Sequence, residues 1–132
     1  MAEVFVRFVQ EGFHRWGDAP EGRAYLRDRH RHLFWIEASC EVAEDDREVE
    51  FHDIRDQVEI YYGLMAGKDR DFGTQSCEML ARRMAGKLCE TFRRAFTVSV
   101  SEDGECGARV TVGLMDLVAA EKERAAPESD PA

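Results

Sequence analysis

The run Ala2–Val9 is rich in Val and Phe and predicts a first strand. Residues Arg15–Arg29 carry Gly17, Pro20 and Gly22 and read as a loop. In His32–Val42 the apolar residues Phe34, Ile36, Ala38 and Cys40 fall on one parity, so this stretch reads as a second strand with one buried face. Ala43–Arg47 is a charged turn, and Glu48–Phe51 reads as a short strand returning from it. The period then changes. Ile54, Val58, Tyr61 and Met65 recur at helical spacing behind Asp53, a suitable N-cap, and Gly67 ends that helix. After the polar link Lys68–Gly73, a second helix capped by Thr74 or Ser76 aligns Cys77, Leu80, Ala81, Met84, Leu88 and Phe92 on one face. Phe96, Val98 and Val100 alternate with hydroxyl side chains; beyond the turn at Asp103-Gly104, Ala108, Val110 and Val112 alternate again.

The pattern is α+β in the order ββααββ, and 132 residues make one domain with a real core. Residues 1–118 form that domain. The stretch 119–132, with mixed charge, two prolines and no period, is expected to be a disordered acidic tail. A net charge of −9 argues against general nucleic-acid binding, although residues 23–32 are locally basic and suit a small anion. No apolar run reaches the ~20 residues of a membrane span, and no basic-then-apolar leader opens the sequence. Cys40, Cys77, Cys89 and Cys106 form no CxxC pair and read as reduced thiols, so the expected location is the cytoplasm.

Candidate chemistry centres on His14 and the pair His30 and His32. On a strand, residues i and i+2 point to one face with Cβ atoms about 7 Å apart, so two imidazoles can converge on one ion. His14, beyond the first apolar run, offers a third from a neighbouring strand. Three imidazoles with an open position suit a catalytic zinc. The same residues also suit a solvated basic patch with Arg27, Arg29 and Arg31, and spacing leaves both readings open. Neither His-Glu-x-x-His nor His-x-Glu with Pro-Cys-x-x-Cys is present.

Several segments, in order, resemble those of the 6-pyruvoyl-tetrahydropterin synthase and 6-carboxy-tetrahydropterin synthase family. Gly12-Phe13-His14-Arg15 is similar to the segment of the family's first histidine, and His30-Arg31-His32 to its His-Gly-His. Val49–Ile54 is similar to its Val-x-Asp-Phe helix entry. Gln75–Ala81 is similar to its Pro-Thr-x-Glu-Asn-Leu-Ala helix start, and Val98–Asp103 to its Val-x-Val-x-Glu-Thr strand end. The resemblance covers about residues 3–113. It implies the T-fold (tunnelling fold), a four-stranded antiparallel sheet with two helices on one face. It also implies zinc on His14, His30 and His32, polarising the hydroxylated side chain of a pterin. Glu102 would anchor the pterin through its guanidine-like edge, with Ser76 and Cys77 lining the same pocket. Assembly into a homo-hexamer, a dimer of trimers with the pocket between subunits, is implied as well. Read without the resemblance, Glu102 is a polar residue beside a hairpin turn and Glu78 a first-turn carboxylate. His52 is then a surface residue, and Cys40 and Cys89 are packing residues.

Departures qualify the chemistry. Where the family carries a catalytic cysteine, four residues before His-Gly-His, this chain has Leu26. The family's Asp-His pair should fall within Leu64–Phe72, which has no histidine; Asp69 and Asp71 are the carboxylates on offer there, as catalytic groups or as plain surface charges. Gln10, Gly12 and Arg31 replace the usual Phe, Ala and Gly. The expected function is that of a zinc-dependent, lyase-type member acting on a pterin or related heterocycle with altered catalytic residues. The alternatives are a catalytically inactive homologue that binds such a ligand or a partner, and a coincidental fold whose histidines are surface charges.

Overall fold

The computed structural model describes residues 1–125. Four strands, β1 (Ala2–His14), β2 (His30–Val42), β3 (Phe96–Glu102) and β4 (Cys106–Val112), form one antiparallel sheet in the order β1-β2-β3-β4. Between β2 and β3 the chain builds α1 (Phe51–Ala66) and α2 (Cys77–Phe92). These helices cover one sheet face. Even-numbered residues of the strands, including Val6, Phe8, Phe34, Ile36, Val98 and Val100, meet Ile54, Val58, Leu80, Met84 and Leu88 in a single core. Burying one such side chain contributes about 1.5–3 kcal/mol. The opposite face exposes Phe5, Val9, Leu33 and Trp35. This is the α+β architecture and ββααββ order expected from the sequence.

Boundaries differ from expectation in ways that matter for the site. β1 runs five residues past Val9, because Gln10–His14 pair residue for residue with Phe34–His30. β2 likewise begins at His30, so both ends of the candidate metal site lie in regular strand. Glu48–Phe51 is not a strand. The Glu48 carboxylate accepts from the N–H groups of Ala43 and Glu44 and from Arg94, closing the turn, and Phe51 already opens α1. Glu50, not Asp53, caps α1, its side chain accepting from His52 N–H. The buried face of α1 is Ile54, Val58, Tyr62 and Ala66, leaving Tyr61 and Met65 half-buried. Ser76 is the cap of α2, accepting from Met79 N–H at 3.2 Å. A 3-10 segment, Glu21–Leu26, interrupts the long loop between β1 and β2.

The C-terminal stretch is also different. Leu114–Ala125 forms α3, opened by Asp116, whose carboxylate accepts from Gly113 N–H at 2.8 Å, with Leu117 packed on the core. Residues 119–125 of the expected tail are therefore helical, and 126–132 lie outside the described residues. Among the described residues no helix is long and apolar enough to cross a membrane.

Gly12 has a packing reason to be glycine. A Cβ there would lie 2.7 Å from the Phe34 ring and 2.7 Å from the Tyr62 hydroxyl, which donates to the Glu11 carbonyl at 2.8 Å. The tyrosine fills the space that the alanine of the resembled segment would need. Gly12→Ala is expected to cost about 1–3 kcal/mol through overpacking, read as a lowered urea midpoint at unchanged m-value.

Candidate metal centre

β1 and β2 place His14 directly opposite His30, and His32 follows two residues on along the same face. The ring centroids are 4.6 Å (His14–His30), 4.9 Å (His30–His32) and 5.2 Å (His14–His32) apart. One nitrogen from each ring lies within 4.8 Å of the others. Phe34, fully buried, sits beneath the group with its ring edge-on to His14 and His32.

Each Nδ1 faces an acceptor. His30 Nδ1 donates to the Asp28 carbonyl at 2.8 Å, and His32 Nδ1 to Asp103 Oδ2 at 2.8 Å. His14 Nδ1 points at the Gln75 carbonyl at 3.4 Å. Such partners fix the tautomer with the proton on Nδ1 and leave Nε2 as the metal-binding atom. His14 Nε2 and His32 Nε2 are buried and have no hydrogen-bond partner. Buried polar atoms are seldom left so. Two unpartnered Nε2 atoms with a third imidazole beside them fit a divalent cation such as zinc.

The supports come from far along the chain. Phe13 N–H donates to Arg70 O, Phe72 N–H to Phe13 O and Arg15 N–H to Gly73 O, all at 2.8 Å. This clips residues 70–73 to the end of β1 and brings Gln75 to His14. Asp71 belongs to the clip: its carboxylate accepts from Gly73 N–H at 2.8 Å and Arg29 Nε at 3.0 Å, and these contacts, Gly73 foremost, hold it below the usual carboxylate range. In the tight β3–β4 turn, Asp103 has φ 57° and uses both oxygens, one on Leu33 N–H and one on His32.

A cavity of about 510 Å³ opens beside the histidines, its walls including Trp16, Leu26, Gln75, Cys77, Met79 and Glu102. His14, His30, Ser76 and Cys106 line it as well. Of the residues singled out in the sequence, His14, His30, His32, Ser76, Cys77 and Glu102 are brought together. Asp69 and Asp71 are not among the cavity's lining residues: Asp69 is exposed on the loop, and Asp71 is engaged in the clip. The Ser76 hydroxyl is occupied as helix cap. Burial pushes the Cys77 thiol up to about 12, so it stays protonated at neutral pH.

No protein-family profile and no curated protein matches the sequence. Solved structures do. The chain superposes on 6-pyruvoyl tetrahydropterin synthase of Plasmodium falciparum with a TM-score of 0.63, covering 86% of this chain and 98% of that one at 15% identity. A Plasmodium vivax 6-pyruvoyltetrahydropterin synthase whose catalytic glutamate is changed to cysteine gives the same TM-score and coverage at 14% identity. Another structure of the Plasmodium vivax enzyme gives a TM-score of 0.57. The chain has the fold of the 6-pyruvoyl tetrahydropterin synthases. At this identity the likeness establishes the synthase fold, and the chemistry must come from the residues.

On that synthase fold, the supports Asp28, Gln75 and Asp103 escaped sequence reading. Two act through backbone carbonyls, which no side-chain pattern reveals. Asp103, beside Glu102 in a turn, was the one with a readable signal. Burial lowers the pKa of His14 from its ordinary 6.5, outweighing the opposing pull of Glu102. The unfolded chain then binds the extra proton, so metal-free protein loses stability as the pH falls below 6.5. Urea midpoints of metal-free protein should be lower at pH 5.5 than at pH 7.5, and His14→Gln should flatten that difference.

Proposed function

We propose that this chain is a zinc-dependent protein of the 6-pyruvoyl/6-carboxy-tetrahydropterin synthase type, with non-standard catalytic residues, that takes a pterin or related small heterocycle in the cavity beside His14 and His30. The observation that carries this is the convergence of three Nδ1-anchored imidazoles, two with unpartnered buried Nε2 atoms, at the edge of a cavity of about 510 Å³. His14, His30 and His32 would hold the ion. When bound, it supplies Lewis acidity toward an oxygen of the ligand. Trp16, Leu26 and Met79 give the cavity an apolar wall for a flat ring, and Gln75–Cys77 bring the start of α2 to it.

Assembly belongs to the same reading. The edge strands and the exposed Phe5, Val9, Leu33 and Trp35 face suit closure into a homo-hexamer, a dimer of trimers, in the cytoplasm. A second reading, a catalytically inactive homologue that binds its ligand or a partner, is favoured by Leu26 in the cavity wall and by Asp69 and Asp71 lying off it.

Calorimetry with reduced pterins on zinc-loaded protein, followed by chromatography of the mixture, tests the reading. Binding with a new product supports the enzyme, and binding alone supports the inactive homologue. A protein that binds neither zinc nor any pterin, and is a monomer near 15.1 kDa by light scattering, would overturn both.

A further inference from the structure

Glu102, the last residue of β3, is paired across the sheet with Phe34. It therefore lies diagonal to His32 on the same face, close enough for side chains to meet. Its Oε1 is 3.0 Å from His14 Nε2, and its Oε2 is 3.4 Å from His32 Nε2. Neither approach has hydrogen-bond geometry, since both Nε2 atoms remain without a hydrogen-bond partner. With the protons on Nδ1, those nitrogens present lone pairs, and a carboxylate presents only lone pairs in return. Such groups repel unless something positive lies between them. Two ligands of one tetrahedral zinc, each about 2.0–2.1 Å from it, stand about 3.3 Å apart. That separation falls between the two distances seen.

We infer that Glu102 is a fourth ligand of the metal, alongside His14, His30 and His32, in place of the pterin-anchoring role implied by the resemblance. This rests on the metal-site reading above and adds a carboxylate to it. The donors then come from three neighbouring strands: β1, β2 and β3. Four protein ligands make the closed shell typical of structural zinc, whereas catalytic zinc keeps a position free. An incoming small molecule must expand that shell or displace Glu102. The carboxylate also cancels one of the ion's two charges, making the centre a weaker Lewis acid.

Cobalt(II) serves as a visible probe. Wild-type protein, stripped with chelator and titrated with cobalt, should give ligand-field absorption at one equivalent. Glu102→Gln should bind more weakly by on the order of 100-fold or more, the share of one ligand in four, with altered band positions and intensities. Unchanged affinity and spectrum in Glu102→Gln, with loss of pterin binding, would overturn the assignment and return Glu102 to ring anchoring. Should Glu102→Gln fail to fold, infrared difference spectra of wild-type protein carrying 13C-labelled glutamate decide. A changed carboxylate splitting on zinc addition supports ligation, and unchanged bands overturn it. Absence of cobalt and zinc binding by wild-type protein is a different failure, which removes the metal site and this inference together.

Discussion

His30→Ala protein is expected to be purified without metal, whereas the parent, made without a histidine tag, carries close to one zinc per chain. Apparent binding free energies of structural zinc are about 10–16 kcal/mol. Divided among four ligands, one histidine accounts for about 2.5–4 kcal/mol, roughly two to three orders of magnitude in affinity. His30 is the cleanest of the three to remove. It is only half-buried, and its Nδ1 partner is the Asp28 carbonyl in the preceding loop, while His14 is buried against Phe34. Circular dichroism should be unchanged, and elemental analysis reads the loss directly. A His30→Ala protein with its full complement of metal would remove these histidines from the account.

The second large effect concerns turnover. With 7,8-dihydroneopterin triphosphate as a trial substrate, zinc-loaded protein should give little 6-pyruvoyl- or 6-carboxy-tetrahydropterin. Moving protons along the side chain needs a positioned base, and a general acid or base contributes about 10²–10⁴-fold. The thiol position is Leu26, which lines the cavity together with His14 and His30. Cys77 is held protonated by burial, and Asp71 is fixed by Gly73 and Arg29. Leu26→Cys, or Leu26→Glu, sets an ionisable group into the wall without disturbing the histidines. A gain of about 100-fold or more over the parent is expected if the remaining pocket is competent. Rapid product formation by the parent would mean that another group, with Cys106 on the cavity rim the first to examine, already supplies the base.

The two-residue period of His32–Val42 and the helical periods behind Asp53 and Ser76 made the fold legible, because each buried face repeats without interruption. Legibility failed where one side chain decided the outcome. Glu48 turned an apparent strand into a closed turn by taking two backbone N–H groups. Helical spacing points to Tyr61 as the core residue of α1, yet Tyr62 is the buried one, its hydroxyl donating to the carbonyl of Glu11. The length of β1 was hidden by Gln10, Glu11 and Gly12, poor strand formers whose pairing is set by β2. Leu114, Leu117 and Val118 do have helical spacing, but the surrounding charge obscured it. The i, i+2 spacing of His30 and His32 puts both on one strand face, as the register of β1 with β2 has it. Spacing alone leaves ion site and basic patch open, and the groups that orient the rings give no such signal.

The bracing of His32 by Asp103 has a consequence for the order in which the protein is made. All three histidines leave the ribosome within the first quarter of the chain, on a hairpin that has no helices behind it. Gln75, which faces His14, and Asp103, which holds His32, emerge much later. Until then these two imidazoles lack the partners that orient them, so the early hairpin is poorly organised to hold a metal. If the histidines hold zinc as proposed, a fully braced site needs a chain made past Asp103, and ribosome-bound fragments that stop before residue 103 should remain metal-free.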